Sequence, residues 1–326
     1  MKTFLKKLIL FLLPLLLIAY GFDSFLSAIL KKSNSFADGE YPVWNDLYGG
    51  KINSDVVIYG SSRALKHIDP AAISDRLRTT AYNLGVNGHS FKSQYFRHSL
   101  LLKYNKKPKI IIQTLDVTSF EKNSDLYNPD QFLPYMLNNK EMKQAIYNGF
   151  HPVDYKLPLI RYYGKKEAII EICKLLLRPG SNKPMRIKGY RPRDLNWNND
   201  LMSAQQELGS FEVISDSLII NLFERYLNEC NREKIQIIFV YTPEYIEGQK
   251  FVINRSDIMA LYYQLSKKYD IPFCDYSNDS LSFHKEYFYN SGHLNKVGAE
   301  LFTAKLINDL DRLKVMDELR VQSQSR

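Results

Sequence analysis

Three short runs do most to limit how this chain can fold: Asp55–Tyr59 (DVVIY), Lys109–Leu115 (KIIIQTL) and Ile235–Tyr241 (IQIIFVY). Each is largely apolar and rich in β-branched residues, with no regular alternation of polar and apolar positions. A strand with one wet face alternates, whereas a continuous run fits a strand covered on both faces, the pattern of a parallel sheet. Helical patterns fall between and after the runs, at Phe91–Tyr104, Ser217–Glu233, Ile258–Tyr269 and Lys296–Leu313. In the second of these, Leu218, Ile219, Leu222, Tyr226 and Leu227 recur at helical spacing. Strands alternating with helices predict an α/β fold with a doubly wound, mainly parallel sheet. Two weaker runs, Ala81–Leu84 and Pro272–Tyr276, complete five strands.

At 326 residues, 45% of them hydrophobic, the chain is long enough for one large domain or two small ones. No segment repeats at a fixed period, which excludes solenoids and propellers. Cys173, Cys230 and Cys274 form neither a C-x-x-C pair nor a Cys/His ligand spacing, which argues against a disulfide scaffold and a zinc module.

Leu8–Phe22 (LILFLLPLLLIAYGF) runs without a charge, and beyond Asp23 the chain stays apolar from Phe25 to Leu30. Lys2, Lys6 and Lys7 precede it, the pattern of a signal peptide or a signal anchor. The segment reaches the roughly 20 residues that span a bilayer core, and no small-x-small cleavage site follows it. Residues 1–32 are therefore expected to be an uncleaved anchor, crossing the cytoplasmic membrane through residues 8–30. The leading lysines put the N-terminus in the cytoplasm and the body outside it. Residues 33–50, polar and turn-rich, read as a linker, and residues 51–326 as the domain.

The net charge of +9 is unevenly placed: residues 1–32 carry +4, and residues 151–193, with eleven Lys and Arg against three acids, carry +8. A nucleic-acid binder spreads positive charge over the face that follows the phosphates, so no nucleic acid is expected as partner. Residues 121–215, rich in Tyr, Asn, Lys and Pro, break the rhythm and read as an insertion with a helix at Ala168–Leu177. Its basic stretch, Lys183, Arg186, Lys188, Arg191 and Arg193, is either a solvated loop or a contact to anionic lipid or an acidic glycan.

The first strand runs into Gly60-Ser61-Ser62-Arg63, and Asn290-Ser291-Gly292-His293-Leu294-Asn295 precedes the last helix. In an open α/β sheet the loops at the carboxyl ends of the strands line the site crevice, where a serine from the first segment and a histidine from the second can meet. A hydroxyl is a weak nucleophile until a neighbouring base takes its proton. A third piece, Asn83-Leu84-Gly85-Val86-Asn87-Gly88-His89-Ser90, follows the second strand. These three pieces, in this order, resemble the SGNH (GDSL-type) superfamily of esterases and acyltransferases, over residues 52–120 and 234–311. The resemblance implies a flavodoxin-like sheet, Ser62 as nucleophile and His293 as base. It also implies an oxyanion hole formed by the N–H groups of Ser62 and Gly88. Leu294-Asn295-x-x-Gly298-Ala299 is similar to membrane-anchored members that act on cell-surface polymers, of the D-alanyl-transfer protein D and alginate O-acetylation type. An esterase or O-acyltransferase working on acyl groups, acetyl first among them, of a cell-surface glycan is what this implies, with a membrane-bound acyltransferase as a further partner.

Two positions depart from that pattern. Asn290 stands where the family has Asp, three residues before the histidine, and Thr114-Leu115-Asp116-Val117 stands where the family has Gly-x-Asn-Asp. Asn290 can accept a hydrogen bond from the imidazole without stabilising its charged form, and Asp275 or Asp279 is the alternative acid. A member with a weakened triad would serve instead as a glycan-binding or assembly component. Arg63 is either a surface helix residue or a contact to an acidic substrate, and Asp116 a turn carboxylate or part of the site. His67, His89, His98, His151 and His284 share no ligand spacing and read as ordinary polar residues. No Walker loop, dinucleotide fingerprint or EF-hand occurs, so neither a metal nor a nucleotide cofactor is expected.

Overall fold

The computed structural model describes residues 1–88, 91–122, 126–146, 150–207 and 209–313; His89 lies outside the described residues. In chain order the elements begin with α1 (Lys2–Leu30), α2 (Glu40–Tyr48), β1 (Val56–Tyr59), α3 (Ser62–His67), α4 (Pro70–Leu77), β2 (Ala81–Asn83), α5 (Phe91–Tyr104) and β3 (Ile110–Thr114). Next come α6 (Lys140–Ala145), α7 (Lys166–Leu177), α8 (Asp200–Glu207), α9 (Ser217–Arg232) and β4 (Gln236–Tyr241). The chain continues through α10 (Ile246–Gln249), α11 (Arg255–Tyr269), β5 (Phe273–Asp275), β6 (Phe288–Asn290), β7 (His293–Leu294) and α12 (Lys296–Arg312). By its contacts the chain forms two compact units, Met1–Asn45 with Ser124–Met185, and Asp46–Asn123 with Arg186–Arg326.

The second unit holds a five-stranded sheet in the order β2-β1-β3-β4-β5, parallel throughout. The three continuous runs form β1, β3 and β4 at its centre, and the two weaker runs form its short edges. The pleat sends alternate residues to opposite faces. Val56, Ile58, Ile110, Ile112, Ile238 and Val240 pack in one core with Ala64, Ile73, Phe302 and Leu306 from the helices. On the other face the filling is aromatic: Phe239 packs 5.8 Å from Phe223, and Phe223 lies 4.9 Å from Phe91. Full burial of each such side chain contributes about 1.5–3 kcal/mol.

His98 sits in this aromatic layer, its ring 4.9 Å from Tyr226 and 5.7 Å from Tyr59. Burial pushes its pKa down to about 4.

Residues 121–215 leave and rejoin the second unit at one place, where Glu121 bridges Ser215 and the Asp216 N–H donates to the Phe120 carbonyl at 2.8 Å. Expected as a single insertion, this stretch divides between the units, and from Arg186 it runs as a strap over the sheet domain. The Asn83 N–H donates to the Lys188 carbonyl (2.9 Å), the Arg191 N–H to the Leu65 carbonyl (3.0 Å), and the Lys296 N–H to the Arg193 carbonyl (2.8 Å). Gly189, at φ 82°, passes so close to Asn83 that a Cβ there would overlap its carbonyl. This pinning corrects the reading of the basic stretch as one solvated or ligand-facing cluster. Arg186 and Arg191 are buried and Arg193 is half-buried, which leaves Lys183 and Lys188 exposed.

In the first unit, α1 is long and apolar enough to cross a membrane, and its residues up to Leu17 are exposed on every side. Its last two turns differ: Asp23, Leu26, Ser27, Ile29 and Leu30 are buried in protein. Asp23 receives both Arg161 Nη1 (2.7 Å) and Nη2 (2.6 Å), and the Leu159 N–H at 2.7 Å. Residues 33–50, expected as a linker, fold into a 3-10 turn at Phe36–Gly39 followed by α2, with Tyr41, Val43 and Trp44 buried. Their aromatic residues give the reason, since Trp44 fills a site against Phe132 and donates Nε1–H to Gln131 at 3.1 Å.

Removing one partner of a buried ion pair strands the other charge, at a cost of about 3–5 kcal/mol, whereas replacing both by apolar residues is often neutral. Arg161→Met is therefore expected to lower the unfolding free energy of the detergent-solubilised chain by that amount. The double variant Asp23→Leu/Arg161→Met should regain most of it, and equal losses in both variants would contradict the assignment. The second expectation concerns acid. The unfolded chain protonates His98 near the ordinary value of 6.5, and the native state only near 4. Its contribution to stability is thus complete above 6.5 and declines as pH falls toward 4, by about 1.4 kcal/mol per pH unit. Urea unfolding at pH 7.5 and pH 5 should show this loss, and His98→Gln should reduce it; an unchanged acid slope in His98→Gln would refute it.

Candidate active site

In this strand order the chain leaves β1 toward one side of the sheet and returns through β3 on the other, so a crevice opens at the carboxyl ends of those two strands. Ser62 stands at that point, as the first residue of α3. The turn is tight. Gly60, at φ 145°, is packed so closely that a Cβ would overlap Thr114 Oγ1, and Ser61 caps the helix by accepting the Arg63 N–H at 3.2 Å.

His293 comes from a hairpin in which β6 and β7 pair antiparallel, with Asn290 directly opposite His293. Ser291 and Gly292 form the turn, which is held by the Tyr245 N–H on the Ser291 carbonyl at 2.9 Å. The hairpin brings His293 Nε2 within 2.8 Å of Ser62 Oγ, although the two residues are 231 positions apart. On the other side of the ring, Nδ1 is 2.9 Å from Asn290 Oδ1. An amide oxygen only accepts, so the imidazole carries its proton on Nδ1 and leaves Nε2 free to accept from the serine hydroxyl. The same Asn290 oxygen accepts the Gly292 N–H at 3.2 Å, which fixes the amide and turns Nδ2 outward. Asn290 Nδ2 then meets Asp200 Oδ2 at 3.5 Å, a contact that sequence reasoning did not foresee. Asp200 begins α8, and the Asn198 N–H beside it is bonded to the Tyr289 carbonyl at 2.9 Å.

Neither alternative acid faces the imidazole. Asp275 accepts from Tyr263 OH (2.8 Å) and the Ser277 N–H (2.9 Å), while Asp279 caps a 3-10 turn and pairs with Lys305.

Arg63 occupies neither of the places expected for it. Its guanidinium is buried, 3.0 Å from Glu244 and 3.1 Å from Asp116 through Nη1, and it donates to the Thr242 hydroxyl at 3.0 Å and the Thr242 carbonyl. Burial opposes its charge, but Glu244, Tyr241 and Asp116 more than offset this and raise its pKa. Glu244, also opposed by burial, is brought below the usual carboxylate range by Arg63 and Arg255. The residue after Ser62 is thus fastened to segments that follow β3 and β4.

His67, read from sequence as an ordinary polar residue, supports the His293 segment. Its Nε2 accepts the Leu294 N–H at 3.0 Å and its Nδ1 lies 2.9 Å from the Thr242 hydroxyl. Burial, with the charges of Arg63, His293 and Lys66, holds its pKa well below the ordinary value, so it stays neutral and keeps the acceptor. Its ring meets the His293 ring edge-on at 6.0 Å, while Tyr289 stacks on His293 at 5.4 Å with 9° between planes. The imidazole is clamped from two sides. A sequence signal existed for His67, which falls five residues after Ser62 on the same short helix.

Gly88 lies at φ 101°, in the region that favours glycine. Two residues earlier the Val86 N–H donates to the Gly60 carbonyl at 2.9 Å, and the Leu84 N–H to Ile58 at 2.8 Å. Residues 84–86 therefore extend alongside the end of β1, beside the turn that leads to Ser62. His151 and His284 are exposed.

No protein-family model matches the chain, and no curated protein matches it. Solved structures similar to it at low level include the following two. One, from Streptococcus pneumonia and provisionally described as a platelet activating factor, is 12% identical, with 94% of this chain and 99% of that chain covered and a TM-score of 0.37. The other, a provisionally described acylhydrolase from Bacteroides fragilis, is 13% identical, with 79% and 88% covered and a TM-score of 0.33.

Proposed function

We propose that this chain is a serine-dependent acyl hydrolase or O-acyltransferase of SGNH type. The observation that carries this reading is the hydrogen-bonded series Ser62–His293–Asn290 at the carboxyl end of β1. In the proposed reaction Ser62 Oγ attacks an ester carbonyl as His293 Nε2 takes its proton. The N–H groups of Ser62 and Gly88 receive the oxyanion. His293 then returns the proton to the departing alkoxide, which leaves an acyl ester on Ser62. Water or a sugar hydroxyl, deprotonated by the same nitrogen, releases the acyl group as acid or as a new ester. The acetylated cell-surface glycan, the extracytoplasmic side and a membrane-bound acyltransferase partner follow from the sequence resemblance and from α1, and belong to this proposal.

A serine-directed organophosphonate is expected to label Ser62, and Ser62→Ala or His293→Ala to remove both labelling and acetyl release from a chromogenic ester. Labelling at another serine, or full turnover in Ser62→Ala, would refute the reading; an inert Ser62 would favour a glycan-binding role. A further expectation concerns the missing acid. A carboxylate at position 290 would stabilise the imidazolium, but Asp200 stands within reach of the same side chain and like charges oppose each other's ionisation. Asn290→Asp alone should therefore gain little, and Asn290→Asp/Asp200→Asn should raise kcat/KM about tenfold or more, a fraction of the ~10⁴ that the aspartate contributes in serine proteases. If the double variant falls below the parent in ester turnover, the asparagine is not an electrostatic deficit.

A further inference from the structure

We propose that the outer face of α7, with the loop before it, seats in the lipid interface beside α1, so that the first unit holds the membrane by two elements. This rests on reading α1 as the membrane anchor. On a helix at the surface of a water-soluble domain the polar residues face outward. In α7 apolar residues share that outward position: Glu171 is buried with Ala168 and Ile172, while Ile169, Ile170, Cys173, Leu176 and Leu177 are exposed. At 100° per residue these five form one continuous stripe. Leu177 is 81% exposed, and in the preceding loop Tyr163 is 91% exposed, with Leu157 and Ile160 beside it in sequence. A face of this kind, apolar and rimmed by cations, is the pattern of a helix lying in the plane of the headgroups. Lys174 lies along one edge of the stripe, and Lys166 and Arg178 stand at its two ends.

The occupant is fixed by continuity with α1. The loop is tied to α1 by Tyr20 OH on the Lys156 carbonyl (3.1 Å) and by the Leu159 N–H on Asp23 (2.7 Å), and α7 packs on α1, with Ser33 bonded to Glu171 at 2.6 Å. The loop thus adjoins the level at which α1 stops being bare and enters protein, and α7 runs on from it along α1 to Ser33, just past the end of that helix. Bare apolar helix and exposed loop meet at Tyr20 and Asp23, beside which Phe22 and Phe25 are also exposed, and aromatic residues favour the membrane–water boundary. Lipid covers both.

Cys173 supplies the probe, because it is exposed on the stripe while Cys230 is buried and burial pushes the half-buried Cys274 thiol up to about 11. The full chain, labelled at Cys173 with an environment-sensitive fluorophore, is reconstituted in phosphatidylcholine/phosphatidylglycerol liposomes. Parallel probes sit at Glu167→Cys, exposed but about 120° around α7 from Cys173 and outside the stripe, and at Leu12→Cys, each in a Cys173→Ser background. The Cys173 probe should be quenched severalfold more than the Glu167→Cys probe by lipids spin-labelled near the headgroup, and less by aqueous iodide. The Leu12→Cys probe should be quenched by lipids labelled deep in the chain. A Cys173 probe as open to iodide as the Glu167→Cys probe, with the Leu12→Cys probe deep, overturns the seating and leaves the anchor standing. Shielding from iodide without lipid quenching assigns the face to a second copy and overturns it as well. A Leu12→Cys probe outside lipid removes the anchor and the seating together.

Discussion

The charge of Arg63 is the constraint around which the site is assembled. A guanidinium cannot be neutralised at physiological pH, so once buried it must be matched on the spot. Asp116 and Glu244 do this from the segments after β3 and β4, and Arg255 balances the second carboxylate through contacts at 2.8 Å to Glu244 and 2.9 Å to Tyr241. Two cations and two anions leave the cluster close to neutral. Because Arg63 adjoins Ser62, this balance also fixes where the hydroxyl stands relative to three central strands.

The first unit solves the same problem with a single pair. Asp23 lies within an otherwise apolar helix, and Arg161 meets it with both nitrogens. The pair marks where α1 ceases to be a bare rod and becomes part of a folded unit. The uncharged stretch that precedes it, Leu8 to Phe22, has fifteen residues, or about 22 Å of helix.

Much of this was legible in the sequence, and the reason is physical. A strand buried on both faces has to be apolar at every position, so Val56–Tyr59, Ile110–Thr114 and Gln236–Tyr241 announce themselves with little reference to the rest of the chain. That Ser62 and His293 meet was legible because the loops at the carboxyl ends of such strands line one crevice. What could not be read were the partners of long polar side chains. Nothing local says that Arg63 is buried, that Asp200 reaches Asn290, or that Arg186 and Arg191 turn inward while Lys188 remains outside. Residues 33–50 misled for the opposite reason: their Gly, Asp and Asn suggest a linker, but Tyr41 and Trp44 find tertiary cavities that composition does not reveal.

The hairpin that carries His293 makes the two halves of the site unequal in durability. Asn290 and His293 are cross-strand neighbours closed by a two-residue turn, so their contact costs little loop entropy and re-forms on the timescale of a hairpin. The contact between His293 and Ser62 closes a loop of 231 residues and depends on the sheet, the Arg63 cluster and His67 all being in place. Partial openings of the native state therefore separate the imidazole from Ser62 while leaving it bonded to Asn290. The oriented imidazole is a preassembled cassette, and the chain's tertiary structure acts as the switch that delivers it.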